Sequence, residues 1–156
     1  MEIYEPIPSK CCKYIQALFV EGATIEMSDN RIVGQFSFKV EGCNMHIFPA
    51  EDGWIWMEEH VYLLKSVISH IIVISGNLTI NYNGLLGNIL QLSATETGNI
   101  KVNELSDEMK ILSLFSASES NIIIDSRHTK VKLLSTKTKG GRISQNVDYE
   151  KIFEGQ

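Results

Sequence analysis

Cysteine is scarce in this chain: three residues, Cys11, Cys12 and Cys43, an odd number with two adjacent and no C-x-x-C spacing. That excludes a disulfide-dense framework, gives no metal-ligand pattern, and fits reduced thiols in a cytoplasmic setting. No G-x-S-x-G, phosphate-loop or dinucleotide glycine motif is present, so the commonest hydrolase and nucleotide-binding signatures are missing. The first ten residues, MEIYEPIPSK, have neither the basic start nor the apolar run of a secretory signal. Residues 66–95 contain no Asp, Glu, Lys or Arg, yet His70, four asparagines and three glycines interrupt them, so they do not read as a membrane span.

One region is basic and lacks acid. Residues 126–147 hold six of the 14 basic residues and no Asp or Glu, on a chain of formal net charge −5. The charge disfavours general nucleic-acid binding. The local basic run reads either as a solvated strand whose lysines discourage edge pairing or as a docking surface for a phosphate group or an acidic carrier.

What is present is a 156-residue chain, 44% hydrophobic and 21% charged, the balance of one globular domain with a sizeable core. Pro6 and Pro8 make an extended lead-in. Residues 14–20 read as a buried strand or one helical turn. Residues 23–27 and 31–40 flank Ser28-Asp29-Asn30 as a hairpin, the second run alternating as a half-buried strand does. Residues 41–53 are rich in Gly, Pro, Asn and Asp and read as a loop. Further strands are expected at 77–82, 89–94, 100–105, 110–117, 121–125, 130–138 and 142–149, with Lys139-Gly140-Gly141 as a hairpin turn between the last two. No internal repeat stands out.

Residues 54–76 have apolar side chains at helical spacing. Trp56, Leu63, Leu64, Val67, Ile68, Ile71 and Ile74 fill one arc, and Glu58, Glu59, Lys65, Ser66, Ser69 and His70 the other. His60 projects from the apolar arc. One long helix and an otherwise antiparallel set of strands imply an α+β layer arrangement in which a curved sheet wraps the helix.

That order resembles the hotdog fold, whose members act on acyl thioesters of coenzyme A or acyl carrier protein. Residues 31–64 are similar to the strand, loop and helix of 3-hydroxyacyl-acyl-carrier-protein dehydratases. His46-Ile47-Phe48-Pro49 stands where their His-Phe-Pro-Gly motif lies, with Ile47 inserted and Ala50 in place of glycine. Fourteen residues on, where that family has a carboxylate, stands His60, beside Glu58 and Glu59. The approach through Asp52-Gly53 and Trp56 resembles the aryl-polyene dehydratases, and residues 10–15 resemble the long-chain acyl-CoA thioesterases.

The resemblance implies a dehydratase-like lyase, with a thioesterase or a non-catalytic acyl-binding subunit as alternatives. His60 and His46 would supply the base and acid, since imidazole titrates near neutrality, with Glu59 in reserve. It also implies a homodimer or a heterodimer with another hotdog chain, and acyl carrier protein or a CoA thioester received through phosphopantetheine at Arg127, Lys130 and Lys132. No cofactor and no metal are expected, and neither nucleic acid nor membrane as partner. A small sandwich or a lipocalin-like binder would also be strand-rich.

Overall fold

The structure is a computed structural model that describes residues 2–4, 15–28, 31–49, 60–63, 68–82, 89–104, 111–124, 130–131, 133–145, 148–149 and 152–154. Every regular element among them is a strand. In chain order these are β1 (Glu2–Tyr4), β2 (Ala17–Ser28), β3 (Arg31–Gly34), β4 (Phe36–Glu41), β5 (Asn44–Pro49), β6 (His60–Leu63), β7 (His70–Tyr82) and β8 (Ile89–Ala94). They continue as β9 (Asn99–Val102), β10 (Ile111–Ala117), β11 (Asn121–Ile124), β12 (Lys130–Val131), β13 (Leu133–Lys139), β14 (Arg142–Gln145), β15 (Asp148–Tyr149) and β16 (Ile152–Glu154).

The hotdog expectation is overturned by the segment it was built on. His60–Leu63 is β6 and His70–Tyr82 is β7, so there is no central helix for a sheet to wrap among the described residues. Of the arc residues that are described, Ile68 and Ile71 are fully buried, whereas Ile74 lies with Ile72 on the opposite side of the strand from Ile71 and Val73, where it is half-covered. A strand apolar on both faces has no clean two-residue period, and over a short window it is degenerate with a helix face.

The pairing is also parallel where an antiparallel sheet was expected. Ile89 of β8 pairs with Ile111 of β10, which pairs with Leu133 of β13, a step of 22 residues each time. Asn77 of β7 pairs with Asn99 of β9, Asn99 with Asn121 of β11, and Asn121 with Arg142 of β14, in steps of 22, 22 and 21. The chain therefore winds as a parallel β-solenoid, each coil supplying one strand to each of two sheet faces. The first face runs β5-β2-β7-β8-β10-β13-β16, and the second follows β2-β7-β9-β11-β14. A shorter pair, β12-β15, stacks separately.

Side chains that point inward repeat coil by coil about 4.8 Å apart. On the first face Met45, Leu18, Ile71, Leu92 and Leu114 are in register and fully buried. On the second, Ile25, Leu78, Ile100 and Ile122 form the matching row, with Ile143 packed against its end. Each coil cannot bury its apolar side alone, and stacking supplies the missing cover.

The start of the solenoid is closed differently. β2 pairs with β7 in parallel and with β3 antiparallel across Ile25–Gly34, and β6 continues antiparallel on β3. β4 and β5 form a tight hairpin through Gly42, whose φ is +61. Residues 44–49 are thus a strand where a loop was expected. Lys139-Gly140-Gly141 is a corner between the two faces rather than a hairpin turn, because β13 and β14 pair with β10 and β11 and not with each other. Cys43 is disulfide-bonded, against the expectation of reduced thiols; Cys11 and Cys12 lie outside the described residues. Among the described residues no helix is long and apolar enough to cross a membrane.

Candidate functional site

The two histidines expected to share a site are placed apart. His46 lies in β5 and pairs with Phe19, in the first half of β2. His60 lies in β6 and pairs with Gly34, which pairs with Ile25 in the second half of β2. They belong to different sheet faces. The half-buried His46 ring stacks on Phe19 at 4.8 Å and 8°, and lies 6.4 Å from Phe48 at 11°, a ladder of parallel rings. Of His60 and Lys130 only the backbone placement is described. Glu59, Arg127 and Lys132, and with them Trp54, Trp56 and Glu58, fall outside the described residues.

A serine and a histidine do meet elsewhere. His70 Nε2 lies 3.3 Å from Ser93 Oγ, on neighbouring strands of the first face. Burial pushes the His70 pKa down, so the ring is neutral at neutral pH. A nucleophile–base pair needs in addition an oxyanion site, built from donors that are free to face the reacting oxygen. Ser93 sits inside β8 with β7 on one side and β10 on the other, so the surrounding backbone is committed to the sheet. No group of three His, Cys, Asp or Glu gathers as a metal site among the described residues.

The groups best placed to meet a partner are on the fourth coil, β13-β14, counting β7 as the first, β8-β9 as the second and β10-β11 as the third. Lys137, Lys139 and Arg142 are all exposed, and residues 133–145 contain no acid. Lys137 and Lys139 share the outer side of β13, two residues apart, and Arg142 opens β14 just around the Gly140-Gly141 corner. None has an ion pair among the described residues. At the opposite end, by contrast, Lys39 pairs with Glu41, and its hydrogen bond and charge hold the Glu41 carboxyl below the ordinary carboxylate range.

Beside this coil the corner opens into a cleft of about 270 Å³ lined by Ser118, Glu119, Ser120, Asn121, Gly140 and Arg142. Its floor is braced by two buried serines. Ser120 Oγ donates to the Ala94 carbonyl at 2.8 Å and lies 2.7 Å from Ser116 Oγ, and the Arg142 amide donates to Ser116 Oγ at 3.1 Å. The corner turns stack on one another through Glu119 N to Glu96 O at 2.9 Å and Ser118 N to Lys139 O at 3.0 Å. Ser118 and Gly140 both have positive φ, +58 and +93, the left-handed conformation that lets the chain turn sharply.

The corner and its serines were not anticipated from sequence, although a signal exists. Gly76-Asn77 within β7, and Gly98-Asn99, Ser120-Asn121 and Gly141-Arg142 at the starts of β9, β11 and β14, recur on the second face at the coil spacing. The repeat was missed because its marks are only two residues long. Comparison with known proteins finds no match: no family model, no curated protein and no solved structure is similar to this chain.

Proposed function

We propose that this chain is a binding module rather than an enzyme, a β-solenoid whose basic fourth coil docks an acidic protein partner. The observation that carries this reading is the exposure of Lys137, Lys139 and Arg142 on one coil that contains no acid. Individual exposed ion pairs are worth about 0–1 kcal/mol. Three like charges on a rigid coil act together instead, steering encounter and fixing orientation. The rest of the chain is acidic, which favours a partner with a local acidic patch over a long polyanion such as nucleic acid.

The acyl-thioester activity implied by the hotdog resemblance loses its support. That chemistry places its acid or base on the central helix, and here His60 is in a strand, on a different face from His46.

The docking reading is tested with fluorescein-labelled poly-L-glutamate as the acidic probe, measured by anisotropy at low and at near-physiological salt. Binding should weaken as salt shortens the Debye length to ~8 Å, and a Lys137→Glu/Lys139→Glu variant should lose about tenfold or more in affinity, roughly the 1.4 kcal/mol that such a factor represents. Affinity unchanged in that variant sinks the proposal. So does tighter binding to a duplex oligonucleotide than to poly-L-glutamate.

A further inference from the structure

The corner cleft combines charges of both signs, and its construction departs from the coils on either side. Residues one coil apart in the parallel ladder occupy equivalent places, so the position of Ser116 in the third coil is held by Ala94 in the second, and that of Ser120 by Gly98. A Cβ on Gly98 would collide with the Val73 carbonyl, and one on Gly141 with Ser116 Oγ. In the third coil the same position is a serine, and its hydroxyl is hydrogen-bonded to Ala94 O and to Ser116. Local rules broken at one point, with full compensation, are the pattern expected where a fold carries a site.

The polar ladder on the second face ends at the same point. Asn121 donates its Nδ2 to Asn99 Oδ1 at 3.1 Å, which leaves Asn121 Oδ1 as an acceptor with no partner among the described residues. The next rung is not asparagine but Arg142. Glu119, from the adjoining turn, lines the same cleft, and no ion pair joins it to Arg142 among the described residues. The lining thus offers a carboxylate and an amide oxygen, which are acceptors only, together with a guanidinium, which is a donor only. Ser118 contributes a hydroxyl that serves either role. The volume of the cleft is about 270 Å³. It falls below the ~300–1,000 Å³ typical of drug-sized pockets.

We infer that the cleft binds a small zwitterion of the α-amino acid class, its carboxylate on Arg142 and its ammonium held between Glu119 and Asn121 Oδ1. Arginine suits the first half because its planar fork matches a carboxylate in two parallel hydrogen bonds. The acceptor pair suits the second because an ammonium has donors in three directions. The buried serines keep the floor fixed, so little ordering is needed when the ligand enters. The inference shares Arg142 with the proposed docking surface but does not use Lys137 or Lys139, so the variant that reverses those two charges tests the docking of an acidic protein separately.

The test is titration of the ¹⁵N-labelled full chain with each of the twenty common amino acids singly, with acetate and methylammonium as the two half-ligands, read by amide shifts. At least one amino acid should shift the amides of residues 118–121 and 140 with saturation, and bind about tenfold or more tighter than either half-ligand. Glu119→Gln and Arg142→Gln should each weaken that binding about tenfold, because both side chains are exposed and neither holds the backbone of the turn. Lys137→Glu/Lys139→Glu should leave it in place. The inference is overturned if no amino acid shifts these amides, if acetate or methylammonium binds as well, or if either cleft variant binds as tightly as the wild type.

Discussion

Asn121 hydrogen-bonds Asn99 one coil back, Nδ2 to Oδ1 at 3.1 Å, so that two residues 22 apart in sequence form adjacent rungs of one polar ladder. A second rung set runs Asn103 to Asn81 at 3.0 Å and Asn81 to Glu26 at 3.2 Å. Each such bond contributes about 0.5–1.5 kcal/mol net. Asn99→Ala and Asn121→Ala should each lower stability by about 1 kcal/mol in urea unfolding. The double variant should lose less than the sum, because the shared bond is removed once and counted twice. Fully additive losses would show that the ladder carries no coupling.

Why the sequence disclosed strands but not their winding follows from particular residues. The segments 89–94, 110–117 and 121–125 were readable as strands because Leu90, Leu92, Leu112, Leu114, Ile122 and Ile124 recur at every second position, the period of a half-buried strand. The hairpin of β2 and β3 was readable for the same reason. Nothing in such alternation distinguishes parallel from antiparallel partners. Residues 68–74 were misread because Ile71 and Val73 point inward while Ile72 and Ile74 also sit half-covered on the outer side. Their β-branched character was the discriminating signal, since Val and Ile favour strands. Lys137, Lys139 and Arg142 stood out as charge before the structure showed them together, whereas the corner cleft depends on stacking across 22 residues, which no short window contains.

Gly98 tests the closeness of that stacking. A methyl group there would collide with the Val73 carbonyl of the preceding coil, a backbone atom that cannot move aside without its strand. Gly98→Ala should cost about 3 kcal/mol or more, the range of overpacking and backbone displacement. Gly42→Ala is the control. It meets nothing within 4 Å, and its φ of +61 should cost only about 1–2 kcal/mol. The two midpoints in denaturant should therefore differ clearly, and equal losses would mean that coil contact at Gly98 is looser than its geometry indicates.

Ser116 and Ser120 offer a second pair. Ser116→Ala leaves Ser120 Oγ on the Ala94 carbonyl and the Arg142 amide on the Ser120 carbonyl at 3.1 Å, so it should cost no more than about 1 kcal/mol. Ser120→Ala removes the donor to Ala94 and strands the buried Ser116 hydroxyl with one partner fewer, and should cost about 1–3 kcal/mol. Thermal unfolding of the two variants ranks them. A larger loss for Ser116→Ala would place the support of the corner on the other hydroxyl.

His70 gives the fold a dependence on pH whose sign is set by burial. Desolvation lowers its pKa below the ordinary value near 6.5, and the groups beside it in the sheet, Ala17, Gln91 and Ser93, carry no charge to oppose that shift. Between the folded and the ordinary value the unfolded chain binds the proton and the folded chain does not. Stability therefore rises with pH across that window. It should be level above about pH 6.5 and decline as pH falls from there through the folded-state value. The chain has three other histidines, so the informative quantity is the difference between the wild type and His70→Gln. Glutamine keeps a hydrogen-bonding group toward Ser93 and has no charge to gain. Unfolding midpoints followed from about pH 7.5 down to about 5, a span that brackets the ordinary imidazole value, should fall more steeply for the wild type than for His70→Gln, and parallel profiles would show that the half-buried imidazole is not the group responsible.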